Sequence, residues 1–441
     1  ICRDLPPHHQ HAWLTRAGRS RLLAGRYGWR AIPVVTERVG AGLYCPSPVG
    51  RRVVRSGVGR EGQTMVSPTR RPLRLGMIGC GQISTRFFNQ AEALDALGWD
   101  VRFVATCART EASARAKAEE RHCARWYTDH RRLLDDPEVD AVVIATPHAL
   151  HASQAADAAR AGKHILVEKP MTTRWDDALA LQATVEASGV TCMALPYVDT
   201  PAFLKALEYA NDAYLGKITG VEAELSFGGP PRSNWYYDAS AEGGAMLDTM
   251  VYPLARVAAL MGPAKRLVSR VNRLIPQRLT GDGGRVESQV DDQVSVVLEY
   301  ESGQQGIVHS IWTRSYMTNG TVLHGRHGAI FLGRYGQPLV VKSDRQAPPD
   351  GTPVEYLGIP NCFTVPVPAG EVTGEIVAHF VQAVRGEVAL HCGLDVGMHL
   401  AEQTMGAYES AKTGEAVELH TTFTPWWGRA TDAMTLSDGW Y

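Results

Sequence analysis

The sequence predicts an α/β protein with two main domains. The N-terminal domain has a parallel sheet with helices on both faces, and the C-terminal α+β domain has a large, mostly antiparallel, open-faced sheet. Three observations predict this fold class. The chain has 441 residues, more than one domain of typical size (~150 residues) would hold. Short apolar runs alternate with helical stretches over residues 71–196, which is typical of a parallel sheet. After Gly216 the apolar residues alternate with period two, as in an antiparallel sheet with one solvated face.

The charge distribution separates the first 70 residues from the rest of the chain. Residues 1–70 contain twelve Arg, no Lys and three acidic residues, whereas the other 371 residues contain 33 basic and 43 acidic groups. That acidic excess would repel a phosphate backbone, so we expect no nucleic-acid partner. No apolar run approaches the ~18 residues of a membrane-spanning helix. The eight Cys are scattered without C-x-x-C spacing, which is typical of cytosolic proteins. We therefore expect a cytoplasmic protein with no membrane partner.

Residues 1–70 show no evident core, and we predict that they form a disordered extension. Met65 is a plausible true start, which would make the preceding 64 residues upstream sequence. A transit peptide and a twin-arginine signal at Arg51-Arg52 are alternatives, but no apolar stretch follows that pair. His8, His9 and His11 have no accompanying carboxylate or thiol frame, so no metal site is predicted.

The strands and helices of residues 71–196 follow one another in a regular order. The apolar and helical runs are LRLGMIG, STRFFNQAEALDALG, VRFVATC, EASARAKAEERH, VDAVVIATP, an Ala-rich helix over Leu150 to Ala161, HILVE, and a helix over Arg174 to Ser188. Residues 197–420 form the predicted second domain, with strands in ITGVEAELSF, RLVSRVNRLI, DQVSVVLEY, QQGIVHSIWT and TVLHGRHGAIFLG. Helices at 374–384 and 397–411 are expected to cover the first domain or brace the sheet, and residues 421–441 form a tail.

The turn after the first predicted strand has the pattern of a phosphate-binding loop. Gly79, Gly81 and Ser84 form G-x-G-x-x-S with Gln82 and Ile83 between them. The first Gly permits the sharp turn, and the second lets the backbone approach a pyrophosphate at the helix N-terminus. The motif alone is weak, but its position between strand and helix favours a Rossmann NAD(P)-binding domain over residues 71–196.

The end of the second strand indicates the coenzyme. Cys107-Ala108-Arg109-Thr110 lacks the acidic side chain that would bind the ribose 2′-hydroxyl of NAD. Arg109 could instead pair with the 2′-phosphate of NADP, so NADP is favoured and NAD remains possible. An Arg that is simply solvated is the alternative.

Two further segments carry a family resemblance. The segment from Ala145 to His151 (ATPHALH) and the segment ending in Glu168-Lys169-Pro170, together with the glycine-rich turn, resemble the Gfo/Idh/MocA (glucose-fructose oxidoreductase and inositol dehydrogenase) family over about residues 71–420. The resemblance implies that Lys169 is the catalytic cation and that the Lys-Pro bond is cis. It also implies that Thr146, Pro147, His151 and Glu168 border the cofactor. An ammonium beside the reacting oxygen would stabilise a developing alkoxide.

The segment from Gly243 to Tyr252 resembles that family's G-G-G-x-x-x-D-x-G-x-H/Y motif. Asp248 and Tyr252 are four residues apart, so in a helix they share one face. Tyr252 is the expected proton carrier, with its pKa lowered by the Lys169 ammonium, and an ordinary half-buried aromatic is the alternative. Asp248 is expected to orient substrate hydroxyls or Lys169.

Three residues depart from the expected helical motif. Ala245 and Met250 replace Gly, and Pro253 would kink a helix.

The predicted function is NAD(P)-dependent hydride transfer to or from a CH–OH or C=O group of a sugar, sugar derivative or cyclic polyol. Trp235 and Tyr237 could stack on a sugar ring or pack against the sheet. By resemblance the protein would be a homodimer or homotetramer. The alternatives are trans-dihydrodiol dehydrogenase activity and a catalytically silent NAD(P)-binding regulator.

Overall fold

The computed structural model describes residues 72–210, 214–231, 234–280, 283–333, 339–344, 355–357, 362–366 and 375–427, all in one compact unit. The predictions for residues 1–70, including the start at Met65 and the three histidines, lie outside the described residues. The predicted tail is described only to residue 427. Within these ranges, no helix is both long and apolar enough to cross a membrane.

The first domain contains a parallel six-stranded sheet in the order β3-β2-β1-β4-β5-β6. Its strands are β1 (Leu73–Ile78), β2 (Val101–Cys107), β3 (Arg125–Tyr127), β4 (Ala141–Ile144), β5 (His164–Val167) and β6 (Cys192–Ala194). The strand order reverses between β1 and β4, and ligands of such sheets bind beyond the carboxyl ends of the strands at this point. Gly79 and Ala145 directly follow these two strands, so the fold places the glycine-rich turn at the reversal.

Helices cover both faces of this sheet, as the alternating pattern predicts. They are α1 (Ser84–Ala96), α2 (Glu111–Glu120), α3 (His130–Leu134), α4 (His151–Arg160) and α5 (Trp175–Ser188), with a 3₁₀ turn at His148–Leu150. On one face the buried rings of Phe87 and Phe88 lie in the core, and on the other α4 packs with its small alanines.

The second domain contains a ten-stranded sheet that is antiparallel apart from one parallel pair, β7 with β12. Its strands are β7 (Ile218–Ser226), β8 (Arg266–Asn272), β11 (Gln293–Glu299), β12 (Gln305–Ile311), β13 (Thr318–Gly325), β14 (Gly328–Leu332), β15 (Leu339–Ser343), β16 (Glu355–Tyr356), β17 (Cys362–Val365) and β18 (Val417–Glu418). A separate hairpin is formed by β9 (Gln277–Leu279) and β10 (Arg285–Glu287).

The remaining helices of the described chain pack on one face of the large sheet or, in one case, on the first domain. They are α6 (Pro201–Tyr209), α7 (Val251–Met261), α8 (Glu375–Val384) and α9 (Leu394–Thr413). α8 returns to the first domain, where the Val377 amide donates to Oε1 of Gln90 at 3.2 Å. α9 braces the sheet, because Oγ of Ser410 accepts from the Ser269 amide at 3.0 Å. The sequence predicted that this pair of helices would cover the first domain or brace the sheet, and α8 does the first while α9 does the second.

The opposite face of the large sheet is open over the described strands. Val268, Val297 and Ile307 lie opposite one another on β8, β11 and β12, and each is about two-fifths exposed. The alternating pattern thus predicted a real feature of the domain, a sheet with one covered and one open face.

Candidate active site

The glycine-rich turn has the geometry that a pyrophosphate requires. Gly79 has φ 100°, and a Cβ there would lie 2.5 Å from the Ala145 carbonyl oxygen, so no other residue fits. A Cβ on Gly81 would meet nothing within 4 Å, which leaves its backbone open to a ligand. Gln82 and Ile83 are exposed beside it, and α1 begins at Ser84 without a side-chain cap. These residues fit the pyrophosphate of a dinucleotide.

Arg109 is exposed two residues beyond β2. The next residue, Thr110, caps α2 by accepting from the Ser113 amide at 3.3 Å. The cap fixes the position of the Arg109 backbone at the edge of the sheet next to the glycine-rich turn. Arg109 therefore follows the carboxyl end of β2, which in dinucleotide-binding sheets precedes the residue that contacts the adenosine ribose.

His151 links the loop after β4 to the loop after β5. Its ring nitrogens lie 2.7 Å from the Thr146 carbonyl oxygen and 2.8 Å from the Pro170 carbonyl oxygen. Burial lowers the pKa of His151, although both carbonyls favour the protonated ring. Because both ring nitrogens bond to backbone carbonyls, His151 can influence a bound cofactor only by positioning these two loops. Thr146 also donates to Oε1 of Gln154 at 2.7 Å, and Pro147 is exposed next to it.

The Lys169-Pro170 peptide bond is cis, which confirms the expectation. The Lys169 amide donates to Oε2 of Glu168 at 3.0 Å, so the buried carboxylate is turned back onto its own loop. Burial raises the pKa of Glu168, and the neighbouring ammonium opposes that rise. In this position Glu168 shapes the backbone that presents Lys169.

Lys169 is joined to the second domain by an ion pair. Its Nζ donates to the Asp248 carbonyl oxygen at 2.6 Å and lies 2.5 Å from Oδ1 of the same residue. It also lies over the ring of Tyr252, 5.0 Å from the ring centroid. Burial lowers the pKa of Lys169, but Asp248 and then Tyr252 and Glu168 outweigh it, so the pKa is raised and the amine stays protonated. The structure therefore brings the three predicted catalytic residues together.

Asp248 and Tyr252 lie on consecutive helical segments. Met246–Met250 form a π-helical turn that leads directly into α7. Pro253 has no amide hydrogen to donate to Thr249, and a wider turn before it accommodates the missing bond. Both side chains contact Lys169, so their shared face is confirmed despite Pro253. Ala245 and Met250, which replace the expected glycines, are completely buried in the second domain.

Asp291 positions the start of this helix, and sequence reasoning missed it. Its carbonyl oxygen accepts from the Ala245 amide at 3.1 Å, and its Oδ2 accepts from the Met246 amide at 2.7 Å. The Tyr408 hydroxyl donates to the other carboxylate oxygen at 2.8 Å. Asp291 precedes β11, and its partners are far away in sequence, so no local pattern could identify it.

The prediction for the pKa of Tyr252 was wrong. Burial raises the pKa of Tyr252 to about 12, and the nearby Lys169 lowers it only in part. The ammonium lies over the ring face, from which it offsets only part of the cost of burying a phenolate. Tyr252 is therefore mainly a neutral phenol at pH 7, the form that can donate a proton.

His148 also lies at the site, although the sequence did not mark it as a site residue. Its Nδ1 donates to the Glu242 carbonyl oxygen at 3.0 Å, and its Nε2 lies 3.9 Å from Oδ1 of Asp248. Burial lowers the pKa of His148 to about 3, helped by the charge of Lys169, so the ring is neutral. The sequence shows His148 only as part of the T-P-H segment, because its contacts lie in the other domain.

The two predicted aromatic residues have different environments. Trp235 lies at the site, with its ring edge-on to His148 at a centroid distance of 4.9 Å and stacked on Tyr236 at 3.8 Å. Tyr237 is buried in the core of the second domain, where its hydroxyl donates to the Pro230 carbonyl oxygen at 2.7 Å. The structure thus favours packing, not sugar stacking, for Tyr237. Among the described side chains, no group of three or more His, Cys, Asp or Glu is placed to hold a metal ion.

Comparisons with known proteins agree with this geometry. A profile described as an oxidoreductase family with an NAD-binding Rossmann fold matches residues 73–195, and the GFO/IDH/MocA C-terminal domain matches residues 203–331. The dTDP-3,4-didehydro-2,6-dideoxy-alpha-D-glucose 3-reductase of Streptomyces violaceoruber is 33% identical over 326 residues, 72% of this chain and 86% of that protein. The trans-1,2-dihydrobenzene-1,2-diol dehydrogenase of Sus scrofa is 29% identical over 299 residues, 66% of this chain and 84% of that protein.

A solved structure shows the same fold. Levoglucosan dehydrogenase in complex with NADH and L-sorbose superposes with a TM-score of 0.70 at 24% identity, covering 79% of this chain and 99% of that one. The two profiles and the Streptomyces relative lead to one conclusion about the sequence. The chain belongs to the Gfo/Idh/MocA family of NAD-binding oxidoreductases.

Proposed function

We propose that this protein is an NADP-preferring oxidoreductase that interconverts a CH–OH group and a C=O group on a sugar, sugar derivative or cyclic polyol. The observation that carries the proposal is the contact of Lys169 with Asp248 and Tyr252, beyond the carboxyl end of β5 and beside the glycine-rich turn. A protonated amine and a neutral phenol at one place are the groups that carbonyl reduction needs.

Lys169 would polarise the reacting oxygen. An ammonium has three N–H groups, and two of them are directed at the carbonyl and carboxylate oxygens of Asp248. The third can donate to a substrate oxygen and stabilise negative charge that develops on it. The side chain of Lys169 is only 11% exposed, and little screening by water strengthens this interaction.

Tyr252 would carry the proton. In reduction its phenol gives a proton to the alkoxide oxygen while the carbon receives hydride, and in oxidation the phenolate takes the hydroxyl proton as hydride leaves. The nicotinamide, when bound, gives or accepts that hydride. Because burial raises the pKa of Tyr252 to about 12, the proton-donating form, which reduction requires, dominates at neutral pH.

Coenzyme choice would depend on Arg109. The guanidinium is exposed, and no carboxylate stands between Cys107 and Thr110 to repel a 2′-phosphate. A planar cation can pair with the phosphate and lie against the adenine. These features support NADP over NAD as the preferred coenzyme.

A hydroxylated ring suits the site better than an apolar diol. His148, Asp248 and Lys169 offer polar groups, and the stacked rings of Trp235 and Tyr236 lie next to His148. The two relatives described above are named for a dTDP-linked sugar and for a dihydrodiol, and the polar lining favours the sugar class. The silent-regulator alternative predicts a missing cation or proton carrier, and both groups are in place here.

The open face of the large sheet supports self-association. Val268, Val297 and Ile307 form an apolar row across three strands on that face. A second copy of the chain that pairs on this face would bury the row in a homodimer, or in a homotetramer with a further contact.

The test is a panel of sugars and polyols assayed with NADP and NAD by absorbance, in both reaction directions. We expect turnover with at least one ring-hydroxylated substrate and its loss in Lys169→Ala. The matched control is Lys412→Ala, which removes a highly exposed lysine on α9 and should leave turnover unchanged. Unchanged turnover in Lys169→Ala would remove Lys169 from the mechanism, and no turnover with any substrate would refute the proposed activity.

A further inference from the structure

We propose that His148 determines substrate specificity. Its Nε2 accepts a hydrogen bond from a hydroxyl group on the carbon next to the reacting carbinol, so the enzyme selects substrates with a free hydroxyl there. This inference rests on the proposed function and defines the substrate class more narrowly. A keto sugar or polyol with the neighbouring hydroxyl intact would bind productively, and its deoxy analogue would bind poorly.

The tautomer of His148 follows from its contact with the second domain. The Glu242 carbonyl oxygen can only accept, so Nδ1 must carry the hydrogen of the bond at 3.0 Å. In a neutral imidazole the other nitrogen, Nε2, then has a lone pair and no hydrogen. The buried position of the ring disfavours a second proton, since the charged form would lose its hydration. His148 therefore presents an acceptor at Nε2.

The group nearest to Nε2 cannot satisfy that acceptor. Oδ1 of Asp248 lies 3.9 Å away and is itself an acceptor that takes a hydrogen bond from Lys169. Within the described parts of the chain, no donor hydrogen-bonds to Nε2. A substrate hydroxyl would supply the missing donor, whereas a hydrogen atom on a deoxy carbon would leave the lone pair unpaired in a buried place.

The position of Nε2 places this hydroxyl next to the reacting group. Lys169, which polarises the reacting oxygen, bonds to the same carboxylate oxygen that lies 3.9 Å from Nε2. Both nitrogens therefore lie close to one oxygen atom of Asp248, at 2.5 Å and 3.9 Å, which keeps them near enough together for oxygens on adjacent ring carbons to reach both. A vicinal pair of oxygens can reach Lys169 and His148 together.

Two features hold the His148 ring in this place. Trp235 packs edge-on against it, at a centroid distance of 4.9 Å. Glu242, which accepts its hydrogen bond, has φ 56°, a left-handed conformation that costs energy in a residue other than glycine. A strained residue that fixes an imidazole at a domain boundary is consistent with a functional role for the acceptor.

The test compares substrate pairs that differ by one hydroxyl. D-Glucose and 2-deoxy-D-glucose are the first pair, and the best substrate of the panel with its deoxy analogue is the second. A site that hydrogen-bonds a hydroxyl discriminates against the analogue that lacks it, because its polar group is left unpaired. We expect the unmodified enzyme to prefer the hydroxylated member by about 10- to 100-fold in kcat/KM, which is the cost of leaving one buried acceptor unpaired.

Variants of His148 should change that ratio selectively. His148→Phe keeps a ring against Trp235 but has no acceptor, and we expect the preference to fall to about threefold or less. His148→Gln keeps an acceptor oxygen and should retain part of it. The Kd of the coenzyme, measured by fluorescence, should change less than about threefold in both variants, and circular dichroism will show whether each is folded.

The outcomes separate this inference from the proposed function. Turnover with an unchanged ratio in folded His148→Phe would overturn the role of His148 and leave the oxidoreductase proposal in place. A large loss of coenzyme affinity would also overturn it, because Nε2 would then serve the cofactor. Absence of any turnover in the unmodified enzyme, with every substrate pair, would refute both proposals.

Discussion

His148 and Glu242 are 94 residues apart in the sequence, yet the imidazole of one donates to the carbonyl oxygen of the other at 3.0 Å. Together with the ion pair of Lys169 and Asp248, this bond joins the loops of the first domain to the helix start of the second. The candidate site is therefore built from both domains. Contacts that cross the domain boundary hold Lys169, Tyr252 and His148 in place.

The first prediction concerns the carboxylate that pairs with Lys169. Asp248 offsets the effect of burial and raises the pKa of Lys169, so Asp248→Asn should lower it. The amine would then lose its proton at a lower pH than in the unmodified enzyme. We expect a descending limb of log kcat against pH for reduction to appear at lower pH in Asp248→Asn than in the unmodified enzyme. The measurement is a pH–rate profile of both proteins at saturating substrate.

The matched control for this variant is Asp344→Asn, which changes an exposed carboxylate paired with His327 on the second domain. It should leave the profile unchanged. If Asp248→Asn loses activity equally at every pH, then the carboxylate positions the substrate without tuning the amine.

The second prediction concerns Tyr252 and the direction of the reaction. Because the pKa of Tyr252 is raised to about 12, the phenol is protonated throughout the neutral range. Reduction uses that form and should stay level from pH 6 to 9, whereas oxidation uses the phenolate and should rise about tenfold per pH unit. In Tyr252→Phe we expect kcat to fall about 10²- to 10⁴-fold, with the slope of the oxidation profile lost.

The coenzyme Kd provides the control for Tyr252→Phe, since the variant retains the ring over which Lys169 lies. Binding of the coenzyme should be unchanged. A pH-dependent oxidation profile that persists in this variant would show that another group carries the proton.

Parts of this site could be predicted from residue patterns alone. Gly79 has a positive φ of 100°, a backbone conformation that favours glycine, and that requirement is local. The shared face of Asp248 and Tyr252 follows from helical spacing, and the parallel sheet follows from the rhythm of apolar runs. Such features depend on neighbours in the sequence, which is why they were predicted correctly.

Other parts depend on packing between distant segments. Asp291 accepts from the amide of Met246, 45 residues away, and no local pattern marks the pair. The core position of Tyr237 and the raised pKa of Tyr252 both result from burial, which is set by how the domains assemble. The family resemblance implies that the Tyr252 phenol lies near the Lys169 ammonium. It does not show how much water surrounds the two groups.

The third prediction concerns Arg109. Arg109→Asp would replace a cation by a carboxylate at the end of β2, where it would repel a 2′-phosphate and accept from a ribose 2′-hydroxyl. We expect the ratio of kcat/KM for NADP to that for NAD to fall at least tenfold and to change its preference to NAD. Steady-state assays with each coenzyme at fixed substrate give this ratio.

Arg102→Asp is the matched control, because it makes the same charge change at an exposed position within β2. It should leave the coenzyme ratio within about twofold of its starting value. A preference for NAD in the unmodified protein would contradict the proposed role of Arg109.

The fourth prediction concerns the pH dependence of stability. Burial lowers the pKa of His148 and His379 to about 3 and of His399 to about 4, against 6.5 in an unfolded chain. Below pH 6.5 the unfolded chain therefore binds protons that the folded protein does not, so stability is present above this pH and is lost as the pH falls. Together these three rings should lower the free energy of unfolding by about 4 kcal/mol at pH 5.5 relative to neutral pH.

Urea unfolding at pH 7.5 and pH 5.5 measures this difference in the free energy of unfolding. His420→Gln, which removes a highly exposed imidazole, should show the same pH dependence as the unmodified protein. His379→Gln should lose part of it, because the buried rings of His151 and His164 also contribute. A free energy of unfolding that does not fall between these two pH values would mean that the buried imidazoles take up protons in the folded state. His148 would then be a cation beside Lys169, and its Nε2 would donate to the substrate where we propose that it accepts.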